Sequence, residues 1–308
     1  MLTPDDDALR RELEPTVARL LERHCATASE WFPHDWLPWS RGRDFAGADG
    51  LAWASSQSPL SEAVRAALSL NLLTEENLPG YYHELLRRVG EDGAWGAWAR
   101  RWTAEESRHA SALRDYALLA RALDPVALER ERMAALQAGY RAPGKGLLQA
   151  LVYAALQERA TYIAHRNTGD ATGDPVARRL LARIAADEHM HMVFYRELVA
   201  TALNIAPAPA LQAIAETVHG FEMPGAGLAG YLRASVLMAD AGIYDIRLHC
   251  DQVILPMLQH WQVLTPAASG AEAREALLSL ERALTHLERV AGRFERRRAA
   301  RRALAERR

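Results

Sequence analysis

Alanine, leucine, arginine and glutamate recur at helical spacing through most of the chain, as in "LSEAVRAALSLNLLTEENL", "GAWGAWARRWTAEESRHASALRDYALLARAL" and "EAREALLSLERALTHLERVAGRFERRRAARRAL". Such spacing gathers apolar side chains on one face of a helix. The alternation of Val, Ile and Thr that marks strands is almost absent. An all-α protein is expected. Breaks fall at "PHDWLPWSRGRDFAGADG" (33–50), "VGEDGAWG" (89–96), "YRAPGKG" (140–146), "TGDATGDP" (168–175), "APAPA" (206–210) and "LTPAASG" (264–270), each rich in glycine, proline or aspartate. They read as short connectors inside one helical bundle, so residues 1–308 are expected to form a single domain.

The first segment, "MLTPDDDALRRELEPTVARLLERH", reads as a helix with Thr3 as N-cap, Pro4 in its first position and Asp5 to Asp7 near the positive end of its dipole. It has no basic-then-apolar signal peptide, which points to the cytoplasm. No apolar run reaches the roughly 18 residues of a membrane helix. Even "GLLQALVYAALQERA" is interrupted by Gln149, Gln157, Glu158 and Arg159.

At 308 residues with 49% hydrophobic content, the chain is long enough to bury a large core. The net charge of -2 gives no global field for nucleic acid. Cys25 and Cys250 are far apart, which excludes a disulfide framework and a cysteine-ligated zinc site.

Candidate chemistry lies in a repeated motif. "AEESRHASALRDY" holds Glu106-x-x-His109 and "ADEHMHMVFYREL" holds Glu188-x-x-His191. Residues i and i+3 share a helix face, so each pair can present a carboxylate and an imidazole to one point. A third pair, Glu216 and His219 in "AETVHGFEMPG", shows how readily the pattern arises, and it is assigned to helix surface or packing. What distinguishes the other two is their company. Glu75 in "LNLLTEENLP" and Glu158 in "LVYAALQERATYIAHRN" are glutamates in otherwise apolar helices, where a lone carboxylate is costly without a cation, a proton or a metal. In chain order the set is Glu75, Glu106-x-x-His109, Glu158, Glu188-x-x-His191. One glutamate from each of two helices and a Glu-x-x-His from each of two others is the ligand pattern of ferritin-like dimetal carboxylate bundles. Many oxygens with one imidazole per metal favour two iron ions, or manganese, over zinc. His34, His83, His165 and His249 sit without ligand partners and read as surface or packing residues.

The blocks "TEENLPGYY", "WTAEESRHASALRDY", "QERATYIAHRNT" and "IAADEHMH" resemble the soluble acyl-[acyl carrier protein] desaturases, particularly their shorter bacterial branch. The resemblance runs from about Trp31 to "EMPG" at 222–225, and the segment 266–308 is unmatched. It implies a ferritin-like bundle with flanking helices and a di-iron centre on the six residues above. In "TEEN" it selects Glu75 over Glu76, because the family's ligand directly follows the threonine, here Thr74. It also implies that Thr161 faces the metal pocket, that Asp187 orients a ligand histidine, and that Trp31 belongs to a path for electrons. The sequence departs from the family pattern at His189 and Met190, and the stretch between Glu75 and Glu106 is shorter than in the plant enzymes.

The activity implied is oxygen-dependent insertion of a double bond into a carrier-bound acyl chain. No flavin or nicotinamide fingerprint is present, so electrons would come from a ferredoxin-type donor. An acidic carrier protein would meet a basic surface; Arg178, Arg179 and Arg183, or the arginine-rich stretch 293–308, are candidates. A homodimer is implied by the resemblance alone. Competing expectations are a di-iron oxygenase or oxidase of another small molecule, an iron-storage protein, and a non-catalytic metal-binding bundle.

Overall fold

The computed structural model describes residues 4–48, 50–140, 146–264 and 270–305, without the side chains of residues 4, 5, 302, 304 and 305. Thr3, most of the 140–146 and 264–270 connectors, and the end of the arginine-rich stretch lie outside the described residues. No strand occurs among the described residues. The helices are α1 (Pro4–Thr27), α2 (Glu62–Glu76), α3 (Leu78–Val89), α4 (Gly93–Leu119), α5 (Pro125–Ala138), α6 (Leu147–Ala171), α7 (Pro175–Ile205), α8 (Pro207–His219), α9 (Tyr231–Asp240), α10 (Ile246–Leu248), α11 (Leu255–His260) and α12 (Ala271–Ala305). A π-helical stretch, His249–Ile254, joins α10 to α11.

Helices α2, α4, α6 and α7 surround the centre, with α2 against α4 and α6, and α7 against α4 and α6. Helices α6 and α7 form a hairpin held close by Gly169, where a Cβ would meet Arg178 Cα and Leu181 Cβ at 3.3 Å. Asp174 accepts from Val176 N–H at the start of α7, and its other oxygen takes Tyr116 Oη–H at 3.0 Å and Arg41 at 2.8 Å. Helix α1 packs across α4, α6 and α7. Its side chains cap the helices beneath it: Asp6 Oδ1 accepts from Leu147 N–H at the start of α6, and Glu14 Oε1 accepts from Ala94 N–H at the start of α4. Asp6, expected to face its own helix dipole, thus serves a neighbour that begins on Gly146 with no side chain to cap itself. Helix α12 packs on α8 and is tied down by Arg298 to Asp245 at 2.8 Å and by Glu288 and Glu295 to Arg247.

The buried apolar residues form two bodies. One gathers Leu13, Trp98, Leu156, Leu198 and Ile214 from α1, α4, α6, α7 and α8. The other gathers Trp31, Leu68, Leu113 and Leu180 from the 31–37 segment and α2, α4 and α7. The buried carboxylates and imidazoles of α2, α4, α6 and α7 lie in the same four-helix bundle. None of the described helices is long and apolar enough to cross a membrane.

Candidate dimetal centre

All six residues singled out by spacing are buried and meet inside the bundle: Glu75 on α2, Glu106 and His109 on α4, Glu158 on α6, Glu188 and His191 on α7. Their ligand atoms form two overlapping groups, each within 4.8 Å. Glu75, Glu106, His109 and Glu188 make one, and Glu106, Glu158, Glu188 and His191 the other. Glu106 and Glu188 belong to both. His109 Nδ1 lies 3.3 Å from Glu106 Oε2 and 3.3 Å from Glu188 Oε1. His191 Nδ1 lies 2.8 Å from Glu106 Oε1 and 3.6 Å from Glu158 Oε2.

Five of these atoms, Glu106 Oε1, His109 Nδ1, Glu158 Oε2, Glu188 Oε1 and His191 Nδ1, are buried without a hydrogen-bond partner. Buried polar atoms are normally satisfied, and five orphans with lone pairs in one small space fit two cations. The electrostatics agree. Burial, reinforced by the Glu106 and Glu188 carboxylates, pushes Glu75 well above the usual carboxylate range, and burial with Glu188 does the same to Glu158. Burial also works against Glu106, but the imidazoles of His109 and His191 outweigh it and hold that carboxyl well below its ordinary value. Four carboxyl groups this close cannot all ionise without added positive charge.

The remaining atoms are held from outside. Asp187 Oδ2 faces His109 Nε2 at 3.3 Å and accepts from Trp31 Nε1–H at 2.7 Å; Arg183 pairs with the same carboxylate. Trp31 lies nearly parallel to the His109 ring, with centroids 6.4 Å apart. Glu105 does for His191 what Asp187 does for His109: its Oε2 lies 2.9 Å from His191 Nε2 and 2.9 Å from His24 Nε2, and Arg101 reaches its Oε1 at 2.5 Å. These short contacts make His24, Glu105 and His191 a hydrogen-bonded chain. Thr161 Oγ1 lies 3.0 Å from Glu188 Oε2 and within reach of the Gln157 and Glu158 carbonyls.

Glu76 points elsewhere, pairing with Arg114 at 3.5 Å and Arg132 at 3.7 Å. Glu216 and His219 are exposed, and so are His34, His83 and His189. His249 is buried against Phe221 and accepts or donates one hydrogen bond with Tyr244 Oη at 2.8 Å. His165 corrects the expectation made for it. It is buried with Nε2 3.2 Å from Glu75 Oε1 and Nδ1 3.4 Å from Asn71 Nδ2, so it partners a candidate ligand directly. Trp102 likewise donates to Glu158 Oε1 at 3.1 Å. Of the arginines considered for carrier docking, Arg178 pairs with Asp170 and Arg183 with Asp187.

A cavity of about 630 Å³ opens beside the centre. Glu75, Thr161 and His165 lie on its wall, and Leu70, Ala164, Phe221, Met223 and Met238 give it an apolar lining. Gly225 lets the 222–230 segment approach α2, since a Cβ there would meet Leu70 Cδ1 at 2.8 Å.

A helical bundle with two overlapping carboxylate–imidazole groups in its interior defines a ferritin-like protein able to hold a pair of metal ions. The chain belongs to the fatty acid desaturase family, whose model matches residues 6–307, including the C-terminal helix. It is 41% identical over 284 residues to DesA1 of Mycobacterium tuberculosis, provisionally named an acyl-[acyl-carrier-protein] desaturase, covering 88% of this chain and 84% of that protein. It is 31% identical over 297 residues to the chloroplastic acyl-[acyl-carrier-protein] desaturase 4 of Oryza sativa subsp. japonica, covering 86% of this chain and 71% of the rice protein. The X-ray structure of DesA2 from Mycobacterium tuberculosis H37Rv, provisionally named an acyl-ACP desaturase, superposes with a TM-score of 0.72 at 31% identity, over 87% of this chain and 99% of that one.

Proposed function

We propose that this enzyme is an oxygen-dependent acyl-[acyl carrier protein] desaturase that holds two iron ions on Glu75, Glu106, His109, Glu158, Glu188 and His191. The observation that carries this reading is the set of five buried, unpartnered ligand atoms drawn from three of the four central helices. The donors are mainly carboxylate oxygens, which suits iron or manganese better than zinc. When bound and reduced, the metal pair supplies the dioxygen-derived oxidant that removes hydrogen from unactivated methylene carbons.

The chain's own part is placement and access. The apolar cavity has the size of a small-molecule site and takes the alkyl chain out of water, bringing it against the wall that Glu75 and Thr161 share. The Thr161 hydroxyl, with one proton and several acceptors in reach, can pass that proton at Glu188 Oε2. Trp31, Asp187 and His109 form a continuous buried contact for electrons arriving from a ferredoxin-type donor. The names of the relatives support an acyl carrier protein as substrate carrier, and the family resemblance supports a role in fatty acid biosynthesis and a homodimer.

The test is product analysis. Iron-loaded protein incubated with saturated acyl carrier protein substrates, ferredoxin, a reductase and dioxygen should release a mono-unsaturated acyl chain. A hydroxylated product would instead establish an oxygenase, and no product from a fully loaded enzyme across chain lengths would remove the desaturase reading.

A further inference from the structure

Glu75 and Glu158, the glutamates that belong to one group each, both have one oxygen facing a buried N–H donor and the other turned to the centre. Glu75 Oε1 faces His165 Nε2 at 3.2 Å, while Glu75 Oε2 is turned to the centre, 4.0 Å from His109 Nδ1. Glu158 Oε1 accepts from Trp102 Nε1–H at 3.1 Å, while Glu158 Oε2 has no partner and lies 3.6 Å from His191 Nδ1. The two donors come from different helices and touch different groups. His165 on α6 reaches Glu75, and its next approach is to Glu188 Oε1 at 3.7 Å, the oxygen that faces His109. Trp102 on α4 reaches Glu158, which belongs only to the His191 group.

His165 is not itself a metal ligand. An amide N–H from Asn71 at 3.4 Å can donate only to an unprotonated Nδ1, which places the ring proton on Nε2, where it donates to Glu75. Both ring nitrogens are then in use. Trp102 offers a single N–H and no acceptor, so it too can only hold a carboxylate, never a metal.

We infer that His165 and Trp102 are paired positioning residues, each holding Glu75 or Glu158 with a single oxygen turned to the centre and each supporting only one of the two metal positions. His165 supports the position built on His109, and Trp102 the position built on His191. Outer partners of metal ligands commonly contribute about 10–100-fold in metal affinity. Here that support divides between the two positions, because the two donors share no carboxylate. The division also puts the His109 position, through His165, against the wall of the cavity.

The inference rests on the dimetal reading, and the experiment separates the two. Metal-free full-length protein is titrated with Co(II). Binding is followed by calorimetry, and the hyperfine-shifted ring N–H signals of His109 and His191 are followed by proton NMR, each assigned through its own outer carboxylate with Asp187→Asn and Glu105→Gln. Wild type should take two ions and show both signals. His165→Leu should weaken one ion about 10–100-fold and lose the His109 signal first, Trp102→Phe should do the same to the His191 signal, and His165→Gln, which restores an N–H at the same reach, should recover both ions. If His165→Leu does not fold, as judged by circular dichroism, His165→Asn serves in its place, being too short to reach Glu75. A wild type that takes no ions overturns the dimetal reading itself. A wild type that takes two, with folded His165 and Trp102 variants that either keep both positions or lose both equally, overturns the inference alone, as does a Gln variant no better than Leu.

Discussion

Glu105 on α4 meets His191 on α7 with 2.9 Å between Oε2 and Nε2. Asp187 on α7 returns the arrangement to His109 on α4 at 3.3 Å. Each carboxylate immediately precedes a candidate ligand glutamate on its own helix and orients a candidate ligand histidine on the other. The exchange fixes both rings with Nδ1 turned toward the centre and locks the spacing of the two helices.

Replacing Glu105 with alanine removes the acceptor for two histidines and leaves Arg101 without its carboxylate. Metal affinity should fall about 10–100-fold, with Glu105→Gln losing less because its amide oxygen still accepts from His191. Calorimetric titration of the metal-free protein with Fe(II) or Mn(II) measures the difference.

Glu75 and Glu76 are adjacent but face opposite ways. Glu75→Gln should cost the protein a metal ion, whereas Glu76→Gln should keep both ions and change stability by no more than about 1 kcal/mol, since its ion pairs with Arg114 and Arg132 are of the partly solvated kind. Metal analysis and thermal unfolding of the two variants provide the check.

Thr161 donates one proton and has three acceptors near it. Thr161→Val keeps the shape and loses the hydroxyl, so the variant should still hold two ions and fold with a loss of about 1–2 kcal/mol. Its yield of unsaturated product per electron consumed should drop. An unchanged yield would remove Thr161 from the proton path.

His249 gives a pH dependence away from the centre. Burial pushes its folded-state pKa down to about 4, below the ~6.5 of an exposed histidine. Between those values the unfolded chain binds the proton and the folded protein does not, so stability is present above about pH 6.5 and is lost as pH falls toward 4. Comparing pH 7 with pH 5, wild type should lose roughly 2 kcal/mol more than His249→Gln, measured by denaturant unfolding of the metal-free proteins.

The four central helices and the six candidate ligands were legible because a ligand set on helices leaves i, i+3 spacing in the sequence, and because Glu75 and Glu158 interrupt apolar faces. The breaks expected at 89–96, 168–175 and 206–210 each hold a helix boundary, but the connectors shrink to residues 90–92, 172–174 and Ala206, because proline is accepted in the first turn of α7 and α8, as Pro79 is in α3. His165, Trp102 and His24 carry no such mark, since their partners are 90, 56 and 81 residues away and only packing brings them together. Glu105 had a signal: an acidic residue directly before Glu-x-x-His occurs in both motifs, as Glu105 and as Asp187. The short helices α10 and α11 with the π-helical stretch between them lacked any, because a single extra residue per turn leaves no distinct periodicity over so few positions.

The most direct test of the central claim is the iron content of the purified full-length chain, with Mössbauer spectroscopy of the loaded protein, for wild type, Glu106→Ala and His191→Ala. Wild type should carry about two irons per chain, spectroscopically coupled through the shared carboxylates Glu106 and Glu188, and both variants should lose the coupled pair. A folded wild-type chain that cannot be loaded beyond one iron, or variants that keep the coupled pair, would contradict it.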